Sequence, residues 1–219
     1  MKKKFIVAAV CFGLFLLLIL LVKAVDVADV AAVEGTKIGL SKLNMAIHEM
    51  FGEHLAWYKV TNVLGYLAIL IGLCFAAIGG VQLVYRRSIL KVDKEILLLG
   101  GLYVVTVFFY ILFEKVVVNY RPILMPDGEG LEASFPSSHT MLSCVILGSG
   151  LQLIKKYAQK SKTVQLVLTV VFAVMLALIV AGRLLSGVHW FTDIIGGILL
   201  SVALLNAWEG AVKLWKSRK

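Results

Sequence analysis

Residues 164–185 read VQLVLTVVFAVMLALIVAGRLL. Gln165 and Thr169 are the only polar side chains before Arg183. A helix needs about 20 residues to cross the hydrocarbon core of a bilayer. A run this long and apolar on every face predicts a spanning helix, since a surface helix would keep one polar face. Five further segments repeat the pattern, at 5–22, 60–85, 96–113, 138–154 and 190–215. Segment 138–154 is the shortest and starts with polar residues; it is counted because the chain must recross there for the loop charges to alternate. The 219 residues are 60% hydrophobic and 16% charged, against about 45–50% and about a quarter for a soluble domain. The chain is therefore expected to be an all-α integral membrane protein, a six-transmembrane-helix bundle forming one domain over 1–219. A soluble domain, a disordered chain and a disulfide scaffold are excluded together.

The net charge of +9 could point to a polyanion, but its placement gives another account. Fifteen of the 22 basic residues fall at the N-terminus, in the loops near 86–94 and 155–162, and in the tail from 213 onward. These are alternate ends of the helices. The positive-inside rule then places both termini in the cytoplasm of a multi-pass protein of the cell membrane. Anionic lipid of the inner leaflet is the partner this charge implies, and no nucleic acid is required.

The first outer loop, 23–59, carries Leu40, Leu43, Ile47, Met50, Phe51, Leu55 and Tyr58 at helical spacing. This predicts an outer-face amphipathic helix between helices 1 and 2, either lying on the membrane or capping the other helices. Trp57, Tyr58, Trp190, Trp208 and Trp215 are expected in interfacial belts. Gly65, Gly72 and Gly79 are expected to permit close helix packing. Cys11, Cys74 and Cys144 each sit in an apolar segment and read as small core side chains. Segment 5–22 also resembles a signal peptide, but its apolar core is longer than such peptides carry.

Three polar clusters fall at the outer ends of the helices. The first runs from Glu114-Lys115 to Arg121-Pro122, the second is Phe135-Pro136-Ser137-Ser138-His139-Thr140, and the third is Arg183, His189 and Asp193. Each alone has a plain reading. An arginine at a helix end snorkels to headgroups, Pro-Ser starts and caps a helix, and His189 with Asp193 one turn on is a structural hydrogen bond. Together they suit an oxyanion with several oxygens, held by arginines, a serine and the free amides of a helix N-terminus. Two histidines add a nucleophile and an acid for a leaving oxygen. A carboxylate one turn from His189 would orient it. With no Cys/His ligand set or acidic cluster, no metal and no cofactor is expected.

Arg121-Pro122, Pro136-Ser137-Ser138-His139 and Gly182-Arg183-x5-His189-x3-Asp193 resemble the three signature motifs of the type 2 phosphatidic acid phosphatase superfamily. The resemblance implies a metal-independent lipid phosphatase or diphosphatase with its site on the outer face. His189 would be the nucleophile, forming a phosphohistidine, and Asp193 would orient it. His139 would protonate the leaving group and then activate water. Arg121, Arg183, Ser137 and Ser138 would hold phosphate oxygens. A polyprenyl diphosphate, phosphatidic acid or phosphatidylglycerol phosphate would suit such a site, with selectivity expected in 23–59 and 123–133.

This sequence departs from the family pattern in three places. Glu114 stands where the first motif has lysine, and Lys115 follows one residue late, about 100° away on a helix. Ser138 replaces the usual glycine, and Gly182 replaces the usual serine. A non-catalytic member that binds phospholipid or scaffolds a membrane complex is the alternative that the Glu114 departure leaves open. A haloperoxidase-like enzyme shares the oxyanion pocket but not the six spans. A transporter would show broken helices and an inverted repeat, which this sequence lacks.

Overall fold

The computed structural model describes residues 1–125 and 130–217. Positions 126–129 of the expected selectivity loop, and the tail charges Arg218 and Lys219, lie outside the described residues. Seven helices make up nearly all of the regular structure: α1 Lys2–Ala24, α2 Ser41–Phe51, α3 Leu55–Arg86, α4 Lys94–Lys115, α5 Ser138–Tyr157, α6 Lys162–Leu185 and α7 Phe191–Ser217. A two-residue hairpin, β1 Ala28–Asp29 with β2 Lys37–Ile38, precedes α2.

Five of these helices, α1, α3, α4, α6 and α7, are long and apolar enough to cross a membrane. The side-chain distribution of α6 shows why water cannot be the solvent around it. Its buried positions are Phe172, Met175, Ile179, Gly182 and Arg183, a single stripe at helical spacing. Leu166, Val167, Val170, Val171 and Val174 point outward and are exposed. Such an apolar outer surface is stable only in hydrocarbon. The chain is a multi-pass membrane protein.

Helix α5 departs from that pattern and explains the weak hydropathy of its segment. It packs against α3, α4, α6 and α7, and half of its length is buried, including Thr140, Ser143, Ser149 and Gly150. Two of its hydroxyls are satisfied locally, Thr140 Oγ1 by Ser137 Oγ at 3.1 Å and Ser149 by the Ile146 carbonyl at 2.9 Å, and Ser201 of α7 donates to the Met141 carbonyl at 3.1 Å. A helix surrounded by other helices can carry small polar residues that a lipid-facing one cannot.

The helix starts follow local chemistry. Ser137 and Ser161 cap α5 and α6 by accepting from Thr140 N and Val164 N. The predicted amphipathic stripe does not form one helix. Gly52, at a φ of 68°, ends α2, so Leu55 and Tyr58 belong to α3. Within α2 the buried residues are Ser41 and Asn44, while Leu43 and Met50 are exposed. The side of α2 that meets the protein mixes polar and apolar contacts: Asn44 accepts from Thr192 N at the start of α7, His48 contacts the Gly187 carbonyl at 3.1 Å, and Met45 packs against the cluster around Ile38 and Trp190. Two expected belt residues are core instead. Trp190 and Trp208 are buried, and the Trp190 indole donates to the Tyr120 carbonyl at 2.9 Å.

One end of the bundle collects both termini and the 86–94 and 155–162 loops. There Asp93 pairs with Arg86 at 2.8 Å and Lys156 at 2.9 Å, and Glu95 pairs with Lys156 at 3.1 Å and with Lys216. Burial alone would raise the Asp93 carboxyl, but hydrogen bonds from Lys156, Arg86 and Tyr157 outweigh it and hold the group below the usual carboxylate range. The three polar motifs gather at the opposite end.

Candidate active site

The second motif enters α5 through a tight turn. Ser137 is fully buried and its hydroxyl accepts from Thr140 N at 3.5 Å and Thr140 Oγ1 at 3.1 Å, so its immediate work is capping. Ser138 opens the helix without a positive φ, and the glycine-to-serine departure costs nothing in backbone strain. His139 follows, one residue into the helix.

The third motif spans the end of α6, the α6–α7 turn and the first turn of α7. Gly187, at a φ of 71°, makes that turn. Arg183 is fully buried. Its Nη2 lies 2.5 Å from His139 Nδ1, its Nη1 lies 3.4 Å from Thr61 Oγ1, and its guanidinium sits 5.0 Å from the centre of the Tyr58 ring. None of these partners is a carboxylate, and Nε has no partner among the described residues. A guanidinium is always a donor, so His139 Nδ1 accepts here and carries no proton.

Asp193 is a hub. Its Oδ1 accepts from Asn119 Nδ2 at 2.9 Å, and its Oδ2 accepts from Trp190 N at 2.9 Å and from Ser134 Oγ at 2.5 Å. Its own carbonyl accepts from Ser137 N at 3.0 Å, and Ser134 N donates to the Asn119 carbonyl at 3.1 Å. Asn119 and Ser134 thus close the neck of the loop between α4 and α5 and aim both side chains at one carboxylate.

His189 is buried. Its Nδ1 is 3.0 Å from Ser134 Oγ but 3.7 Å from Asp193 Oδ2, beyond hydrogen-bond range. Its Nε2 is buried without a partner among the described residues. Burial pushes the imidazole well below its ordinary pKa, and the charges of Arg121 and Arg183 push it the same way. A neutral ring with an unengaged nitrogen is what a nucleophile requires.

The first motif contributes less directly. Arg121 is half-buried, with Nε 3.0 Å from Glu132 Oε2, a charge contact without hydrogen-bond alignment. Lys115 is an exposed residue at the end of α4. Glu114 instead lines the small cavity beside His189, together with Ser134, Pro136 and Ser138. The structure forms two groups at this end of the bundle, His139 with Arg183 and His189 with Asp193 through Ser134, with Ser138 beside His189 in the cavity wall and Ser137 N bonded to the Asp193 carbonyl. It leaves Lys115 outside that cavity.

Sequence reasoning missed Ser134, Asn119, Thr61 and Tyr58. Ser134 directly precedes Phe135-Pro136 and carried no signal beyond a loop residue. The Gly182 departure also acquires a reason. A Cβ there would stand 2.6 Å from Thr61 Cγ2 and 3.0 Å from Trp57 Cε3. Gly65, read as packing alone, makes room for the site, since its Cβ would lie 2.9 Å from His139 Cδ2. Among the described residues no group of His, Cys, Asp and Glu could hold a metal ion.

A sequence model described as the PAP2 superfamily matches residues 75–215. A search of curated protein sequences gave no match. Among solved structures, the chain is similar to the crystal structure described as the first transmembrane PAP2 type phosphatidylglycerolphosphate phosphatase from Bacillus subtilis. The TM-score is 0.68 at 19% identity, with 97% of each chain covered.

Proposed function

From the premise that the chain belongs to the PAP2 superfamily, we propose that it is a metal-independent lipid phosphatase or diphosphatase. The observation that carries this reading is the pairing of an unengaged His189 Nε2 with a buried Arg183 that has no carboxylate partner among the described residues. A buried charge without a counter-ion is costly. A bound phosphoryl group would supply the missing charge and place phosphorus beside the nucleophile.

In the proposed reaction the His189 Nε2 lone pair attacks phosphorus and the bond to the lipid oxygen breaks. Arg183, Arg121, Ser138, Ser137 and the first amides of α5 hold the phosphoryl oxygens. Once Arg183 turns to the phosphate, His139 Nδ1 is released, so His139 can carry the proton that the leaving oxygen takes. The same ring then accepts a proton from water, whose oxygen attacks the phosphohistidine and frees phosphate and His189.

The lipid nature of the substrate is supported by a groove of about 250 Å³ between α3, α4 and α5. Tyr66, Ile69, Leu142 and Ile146 line it, and His139 and Ser138 stand in its wall. An acyl or prenyl chain in that groove would put its headgroup at the site. With both termini cytoplasmic, α5 would be the sixth span, the site would open to the outer leaflet, and α2 would rest its Leu43–Met50 side on the membrane surface. Polyprenyl diphosphate, phosphatidic acid and phosphatidylglycerol phosphate all suit this arrangement.

The test is phosphate release in detergent, with EDTA, from undecaprenyl diphosphate, phosphatidic acid and phosphatidylglycerol phosphate in parallel. Release that is lost in His189→Ala is the expected result. No release from any lipid by folded protein would overturn the reading in favour of a non-catalytic lipid-binding member, for which Glu114 in the cavity wall is the supporting feature. Release that requires Mg²⁺ would overturn the arginine pocket.

A further inference from the structure

The geometry points to Ser134 as the positioning residue through which Asp193 acts on His189, an arrangement in which nucleophile and carboxylate lie beyond hydrogen-bond distance of each other. Asp193 and His189 are one helical turn apart, the spacing that suggests a direct bond, yet the nearest atoms are 3.7 Å apart. Ser134 Oγ stands between them, 2.5 Å from Asp193 Oδ2 and 3.0 Å from His189 Nδ1. Ser134 itself is buried, so water does not compete for its hydroxyl.

The direction of this chain follows from the donor inventory. A serine hydroxyl has one proton to give, and an ionised carboxylate only accepts. The Ser134 proton therefore goes to Asp193, and its lone pair is left for the imidazole. His189 Nδ1 must then be the protonated nitrogen, which leaves the lone pair on Nε2, the unengaged atom. Ser134 thus favours, through its hydroxyl and its backbone carbonyl together, the tautomer that makes His189 a nucleophile. As positive charge grows on the ring during attack, the serine oxygen, polarised by Asp193, stabilises it without any proton changing owner.

The carboxylate is itself held from two other sides, by Asn119 Nδ2 and Trp190 N. This fixes Ser134 as well, because serine and asparagine sit across the neck of the same loop, joined by the Ser134 N to Asn119 carbonyl bond. The hydroxyl is part of a rigid frame that reaches His189 from the segment before the second motif.

The kinetic arm of the test rests on the phosphatase reading; the spectroscopic arm does not. In protein labelled with ¹⁵N-histidine, four imidazoles contribute, and His189 is assigned by loss of its signals in His189→Asn. The expected wild-type state is a neutral ring protonated on Nδ1, and Ser134→Ala, which keeps the backbone carbonyl beside the ring, should shift the Nδ1 signal without moving the proton to Nε2. A wild-type His189 protonated on Nε2 overturns the inference whether or not the protein hydrolyses any lipid. In turnover, Ser134→Ala should lower kcat on the order of 100-fold with KM little changed, and Ser134→Thr, which restores a hydroxyl, should recover most of the loss. Asp193→Asn combined with Ser134→Ala should be no slower than the worse single variant, as for residues acting in one chain. Losses that multiply would show Asp193 acting on His189 by another route and overturn the inference. Wild-type turnover in folded Ser134→Ala would do the same.

Discussion

Gly182 and Thr61 occupy one space across the α3–α6 contact. A Cβ on Gly182 would come within 2.6 Å of Thr61 Cγ2, and the Thr61 hydroxyl, donating to the Trp57 carbonyl at 2.8 Å, lies against Arg183. The hydroxyl that the family pattern places beside the arginine in sequence is here offered from another helix. Restoring the serine in Gly182→Ser should therefore destabilise the protein by about 1–3 kcal/mol through overpacking. Pairing it with Thr61→Ser, which removes the colliding methyl and keeps the hydroxyl, should recover stability and turnover together. Thermal unfolding in detergent and phosphate release read the two effects.

Under the proposed function, Arg183 serves the chemistry at the expense of the fold. Replacing it by methionine, of similar reach and no charge, should lower kcat/KM by at least 10²–10³-fold while raising thermal stability by about 1 kcal/mol or more. A variant that is both inactive and less stable would show that the guanidinium is a structural tie to Thr61 and Tyr58 rather than a substrate ligand.

The depressed pKa of His189 has a definite sign in stability. Above about pH 6.5, the ordinary imidazole value, folded and unfolded chains both hold the ring neutral. Below it, the unfolded chain takes up a proton that the buried ring refuses, so stability should fall as pH drops from 6.5 toward the folded value. His189→Asn should flatten that part of the profile. Equal acid slopes for wild type and variant would mean that the ring titrates normally in the folded state.

The shifted first motif gives opposite expectations for neighbouring residues. Lys115→Ala should change kcat/KM by less than about fivefold, as for any exposed charge. Glu114→Lys, by contrast, places a cation in the cavity wall beside His189 and should lower KM for a phosphorylated lipid. A large loss in Lys115→Ala would show that the end of α4 rotates to bring the lysine in.

At the far end of the bundle, Asp93→Asn removes the charge that Arg86, Lys156 and Tyr157 share and leaves one acceptor oxygen of two. Stability should drop on the order of 1 kcal/mol, with kcat per folded molecule unchanged. Because the Asp93 carboxyl is held low, wild type should keep this contribution above about pH 4 and lose it as pH falls further. A change in kcat would reveal coupling between the two ends of the bundle.

Helix positions were legible because an apolar run has a length, and length is what a bilayer selects. The break at Gly52–His54 was not legible, since Leu55 and Tyr58 continue the periodicity of α2 across it. Trp190 and Trp208 misled for a related reason: an indole, amphipathic by nature, suits an interface and a core equally well. In the site, His139, Arg183, His189 and Asp193 could be read because their types and spacings are unusual together. Ser134, Asn119 and Thr61 could not. Each is a common polar residue whose role depends on a partner 59, 74 or 122 positions away, and no local pattern encodes such a pairing.

Helix α5 is enclosed by α3, α4, α6 and α7, and this bears on how the chain is made. A translocating segment is judged against lipid one stretch at a time, and α5 carries serines, a histidine and glycines that score poorly by that measure. Two of the helices that shelter it, α6 and α7, are synthesised after it. With α5 as the proposed sixth span, the second motif would wait at the membrane for its own future neighbours, and chains cut after Ser161 should leave α5 uninserted in a glycosylation-reporter assay while chains extended through α7 secure it. In the order of synthesis, a sixth span at α5 would be settled only after helices made later than itself.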